Sequence, residues 1–179
     1  HEVMMQNDTD QHPIECGEKM ENTITMSNLC NQDQAMKERV LESLSFRATQ
    51  ADTINTSLPL TFVKASHQQK MLEMSLAASP WTRNVSGIMH GGAIATAFDI
   101  TMGLLCKAYS NVSFSPTISL QVNFCKPVPI GAGLHIQAKL SSVNRKFFQV
   151  QAEAWEEGRS GTILATASAI FYRASSEDV

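Results

Sequence analysis

Residues His90–Lys107 contain no proline, and Ile94, Phe98, Met102 and Leu105 recur among them every three or four positions, the spacing of a helix of about five turns. After a Ser/Asn/Pro loop at 109–116 the period changes to two. Ile118, Leu120, Val122 and Phe124 alternate with Ser119, Gln121 and Asn123. The same alternation returns in Leu134–Leu140, Phe148–Ala154 and Ile163–Phe171, the pattern of strands with one face in a core. Short turns at Ser142–Arg145 and Glu157–Gly161 make these strands antiparallel neighbours. Upstream, Thr61–Val63 and Lys70–Leu76 read as two more strands joined around His67–Gln69. The order strand, strand, helix, four strands predicts an α+β domain whose six-stranded antiparallel sheet packs one face on one long helix.

Composition changes near residue 33. Residues 1–32 are polar, acidic and aperiodic, which predicts a flexible N-terminal extension. From Asp33, placed to cap, Met36, Val40, Leu41 and Leu44 follow helical spacing. The expected division is therefore an extension over 1–32, a short helix and linker over 33–57, and the folded domain over 58–179.

Only 17% of the residues are charged, below the roughly 25% of an average soluble protein, so part of the surface is expected to be covered by another subunit. Fourteen basic residues against seventeen acidic ones leave a net charge of −3 and no basic stripe, which argues against nucleic-acid binding. The strongest candidate for a membrane span, Gly87–Cys106, carries His90, Asp99 and several glycines and reads better as a buried helix. The four cysteines show no CxxC pair or other metal-ligand spacing. The N-terminal residues lack the basic start and apolar run of a signal peptide. A cytoplasmic protein with reduced thiols and no metal or cofactor is expected.

The densest chemistry lies in Asn84–Gly103. Gly91 and Gly92 stand at the mouth of the long helix, where first-turn N–H groups lack helical partners and face the positive end of the dipole. They can donate to an oxyanion, and glycine lets a carbonyl approach. Asp99 falls mid-helix among Ala97, Phe98, Ile100 and Met102, where a carboxylate is costly unless paired or used. Eight residues separate Gly91 from Asp99, about 12 Å of helical rise. One helix cannot bring both to a single carbonyl. If they share a bond, the glycine of one subunit must meet the aspartate of another across a two-fold interface.

The string Asn84-x-x-Gly-x-x-His-Gly-Gly92, with an acid nine residues after His90, resembles the signature of hot-dog-fold acyl-CoA thioesterases of the phenylacetate-degradation type. Thr117-Ile-Ser-Leu-Gln-Val-Asn-Phe-Cys-Lys-Pro127 is similar to that family's strand after the helix, and the resemblance spans residues 58–173. It implies a hot-dog fold, an antiparallel six-stranded sheet wrapped around one long central helix. It also implies a homodimer or homotetramer that hydrolyses acyl-CoA or aryl-CoA thioesters. Asp99 would be general base or nucleophile, and the Gly91 N–H, helped by Gly92, the oxyanion hole. Asn84 would orient the site, His90 shape the helix mouth, and Thr117 position water. Trp81, Met89, Phe98 and Met102 are candidates for an acyl pocket, although core packing accounts for the last two. Lys126, Arg145, Lys146 and Arg159 are candidates for the coenzyme phosphates. Ser119, Gln121 and Asn144 depart from the family's usual residues, which bears on the sub-family and the coenzyme contacts. A non-catalytic acyl-CoA-binding domain and a hot-dog dehydratase or hydratase are the competing expectations. The dehydratase reading lacks its typical His-then-Pro helix start, and a binding module has no need for Asp99 with both glycines.

Overall fold

The computed structural model describes residues 15–174 apart from 78, 130, 157, 159 and 160, with only the backbone over 15–26. Its elements are α1 (Glu15–Ala48), α2 (Ile54–Ser57), β1 (Leu60–Ser66), β2 (Met71–Leu76), α3 (Gly91–Ser110), β3 (Thr117–Phe124), β4 (Leu134–Val143), β5 (Phe147–Glu156) and β6 (Ile163–Tyr172). A 3₁₀ turn, Pro80–Thr82, precedes the mouth of α3. The strands form one antiparallel sheet in the order β1-β2-β4-β5-β6-β3. This is the expected α+β architecture, with α3 packed against one face of the sheet.

Alternation along the strands supplies the core. Leu134, Ile136 and Ala138 of β4, Phe148, Val150 and Ala154 of β5, and Ala165, Ala167 and Phe171 of β6 are buried in one cluster with α3. The floor is rich in alanine, so the helix can lie close to the sheet. At Gly103 an added Cβ would stand 3.3 Å from the Phe171 ring. The helix starts at His90 and ends on Asn111 in the left-handed region, φ 52°.

Helix α1 differs from the sequence expectation. It runs back to Glu15, across residues assigned above to an extension, and Asp33 lies inside it. Asp33 is not a cap; its Oδ1 accepts a hydrogen bond from the His67 backbone N–H in the β1–β2 turn. Once residues 33–48 are helical, each further residue adds a hydrogen bond without a new nucleus, so the helix extends beyond its apolar stripe. That stripe is part of the core. Met36 and Val40 are fully buried, and Arg39 donates to the Ala108 carbonyl at 2.8 Å, closing the last turn of α3. Residues 1–14 lie outside the described residues.

Strand β3 forms one edge of the sheet. Its residues are exposed or half-exposed, including Ile118 and Phe124 at 54% and 56%. An edge of this kind presents unpaired backbone groups beside apolar side chains.

Candidate active site

The loop before α3 is organised by Asn84. Its Oδ1 accepts from the backbone N–H of Ser86 at 2.9 Å and of Ile88 at 3.2 Å, and Gly87 turns the chain at φ 81°. The loop then joins its surroundings: His90 N donates to the Thr82 carbonyl and Met89 N to the Val128 carbonyl. Asn84 thus sets the path by which the chain enters α3.

At the helix mouth His90 is the N-cap, and its Nδ1 accepts from Gly92 N at 2.8 Å. This corrects the expectation that Gly92 assists the oxyanion hole, because its N–H is already engaged. The N–H of Gly91 has no partner among the described residues. It also borders an accessible cleft of about 320 Å³ that includes Asn84, Met89, Phe124 and Lys126. The Phe124 ring lies over it, 3.2 Å from where a Cβ would stand. On the other side of the mouth a second cleft of about 350 Å³ is lined by Trp81, His90, Gly92 and Thr96.

Asp99 is half-exposed two turns further along α3. Its Oδ1 accepts from the Thr117 hydroxyl at 2.6 Å, so Thr117 bonds the acid directly. Helical rise separates this pair from Gly91 by about 12 Å. Gly91 thus lies under Phe124, the last residue of β3, and Asp99 is bound to Thr117, the first residue of β3.

The remaining candidates divide. Trp81 and Met89 border the clefts, whereas Phe98 and Met102 are fully buried core residues. Lys126 lies just beyond the Phe124 end of β3. Arg145 and Lys146 lie in the β4–β5 turn, which is tied to the other end: Lys146 O accepts from Arg173 N, and Pro116 O from Tyr172 N. A single chain does not gather these cations around one phosphate group. Arg159 lies outside the described residues.

Arg47 is a residue the sequence reading missed. Its Nη1 donates to Asn55 Oδ1 at 2.6 Å, and burial pushes its guanidinium below the ordinary value while the nearby Asp99 opposes that shift. Only the packing of α1 against α3 brings it near the acid, so no local motif could have marked it.

Comparison with known proteins bears on this geometry. Residues 86–163 match the family model described as the Thioesterase superfamily. Over 84 residues the chain is 31% identical to acyl-coenzyme A thioesterase THEM4 of Bos taurus, covering 46% of this chain but only 33% of that protein. The chain thus spans about a third of that relative's length. Among solved structures it is similar to the Escherichia coli PaaI protein from the phenylacetic acid degradation operon, with TM-score 0.64 at 12% identity over 77% of this chain and 95% of that one. It also resembles Streptococcus mutans smu.793 bound to acetyl CoA, with TM-score 0.57 at 19% identity over 64% of this chain and 90% of that one. Among the described residues no helix is long and apolar enough to cross a membrane.

Proposed function

From a chain that has the hot-dog fold and carries a thioesterase-superfamily segment over residues 86–163, we infer an enzyme that hydrolyses acyl-CoA or aryl-CoA thioesters to free acid and CoA, with each site shared by two subunits. The observation that carries this reading is that Gly91 and Asp99 lie at opposite ends of the edge strand. Phe124 lies over Gly91 and Thr117 bonds Asp99. Pairing β3 antiparallel with its own copy about the midpoint of Leu120 and Gln121 sets Thr117 opposite the partner's Phe124. Asp99 then faces the partner's Gly91, and the 12 Å gap along one helix is bridged by the second. The same pairing carries Lys126 toward the end of the partner bearing Arg145 and Lys146, so cations that one chain keeps apart converge on one coenzyme.

The chemistry follows from these groups. Thr117 O–H occupies one carboxylate oxygen and leaves the other for water. Asp99 takes a proton from that water as its oxygen attacks the thioester carbon. The carbonyl electron pair moves onto oxygen, where the partner's Gly91 N–H and the helix dipole hold it. Collapse of the tetrahedral species breaks the C–S bond, and the thiolate of CoA takes the proton back from Asp99. A thioester is already activated and its thiolate leaves readily, so one carboxylate and one oxyanion donor suffice. The free thiols Cys30, Cys106 and Cys125 fit the cytoplasmic location of this reading.

Release of free thiol from a panel of short, long and aromatic acyl-CoAs tests the proposal, with hydrolysis of at least one class expected. Acyl-CoA that raises the melting temperature without thiol release would replace the hydrolase with a binding domain.

A further inference from the structure

Three cavities follow one another along the α1 side of α3. The first is the cleft of about 350 Å³ at the helix mouth, between Trp81 and Thr96, which Ile54 and Leu58 close on the far side. The second, about 200 Å³, begins at the same Leu58 and is walled by Leu44, Leu60 and Ile100. It ends on Arg47 and Asn55, which also line a third cavity of about 560 Å³ whose walls include Arg39, Glu42 and Lys107. Gly92, Thr96 and Ile100 are spaced four apart and Lys107 lies seven beyond Ile100, so all four share one face of the helix. The first two cavities have mainly apolar walls and the third is charged. The Arg47–Asn55 hydrogen bond of 2.6 Å separates them.

We propose that the acyl chain of the substrate passes from the carbonyl at Gly91 across the helix mouth beside His90 and Gly92, then along this face of α3 through the first two cavities, and that the Arg47–Asn55 pair is the stop that limits its length. The inference rests on the hydrolase reading and names its substrate class. Apolar walls favour an alkyl chain, whereas a methylene pushed past Arg47 would break the hydrogen bond of a half-buried guanidinium and enter charged surroundings. Burial pushes the Arg47 guanidinium below its ordinary value while Asp99 opposes that shift, and burial and the Arg47 charge push Lys107 down while Glu42 opposes it. Gly92 to Ile100 spans about 12 Å of rise, which at about 1.25 Å per carbon of an extended chain holds about nine or ten carbons. Arg47 and Asn55 are specificity-determining residues here.

S-alkyl-CoA thioethers of about four to about sixteen carbons, which cannot be hydrolysed, read the groove by calorimetry. Affinity is expected to rise with chain length to about ten carbons and then stop rising. Arg47→Ala should tighten the sixteen-carbon ligand about tenfold relative to the eight-carbon one. Thr96→Phe, on the half-buried wall, should weaken the eight-carbon ligand about tenfold relative to the four-carbon one. It keeps the test open should the Arg47 variant fold poorly. Length dependence that neither variant changes overturns the proposal. Thiol release from the matching acyl-CoAs separates the two readings. Release without a length break overturns the groove alone, and a length break in binding without any release overturns the hydrolase alone.

Discussion

Thr117, the first residue of the edge strand, donates its hydroxyl to Oδ1 of Asp99 on the central helix at 2.6 Å. The bond fixes the carboxylate against the strand through which a second subunit would arrive. Asp99→Asn preserves size but removes the proton acceptor. Thiol release should fall by about 10²–10³, with the melting temperature little changed because Asp99 is half-exposed. Thr117→Ala should cost about tenfold in kcat, with recovery in Thr117→Ser. An Asp99→Asn protein of undiminished turnover sinks the mechanism.

The two glycines should separate stability from activity. In Gly91→Ala the new methyl meets the Phe124 ring at 3.2 Å, but that ring is half-exposed and can turn aside, so folding survives while the donor is obstructed and turnover drops. In Gly92→Ala the methyl stands 3.0 Å from His90 Nδ1 and displaces the cap, at a cost of about 1 kcal/mol. Urea denaturation of both variants reads the difference. Equal stability for Gly92→Ala and the parent would contradict the capping role.

Lysine on an edge strand is a natural block to edge pairing. Ile118→Lys, at a position 54% exposed, should give a folded monomer by light scattering and circular dichroism, with thiol release abolished. A monomer that retains turnover excludes the shared site.

Helix α1 should be integral to the fold. Met36 is fully buried, so Met36→Ala should lower the unfolding free energy by about 2–5 kcal/mol. A urea midpoint equal to the parent's would mean that the helix packs only loosely.

Burial pushes the Cys106 thiol well above its ordinary pKa. It should resist iodoacetamide in the native protein while the exposed Cys30 and Cys125 are alkylated, a contrast that mass spectrometry resolves before and after denaturation. Above the ordinary thiol value the unfolded chain releases this proton and the folded chain keeps it. Cys106 therefore contributes a loss of stability as pH rises, which Cys106→Ala should remove.

Much of the architecture was legible because it is periodic. Ile94, Phe98, Met102 and Leu105 mark the helix, and the alternating runs from Ile118 onward mark four strands, although β4 continues through Ser142 and Val143, which the expected turn includes. Gly91, His90 and Asp99 could be picked out as well, since a glycine pair at a helix mouth and a carboxylate in an apolar stretch each break a local rule. The start of α1 was not legible. Residues 15–32 carry no apolar stripe, and their helix continues from a nucleus docked elsewhere.

The sequence by itself determined the order of elements and the roughly 12 Å of helix between Gly91 and Asp99, because helical rise and side-chain period are local properties of the chain. Tertiary structure alone decided that Gly92 spends its N–H on His90, that Thr117 reaches Asp99, and that Arg47 arrives beside the acid from a helix more than fifty residues upstream. Those relationships depend on how α1 and the sheet pack around α3, and contacts between distant segments leave no period in a single sequence.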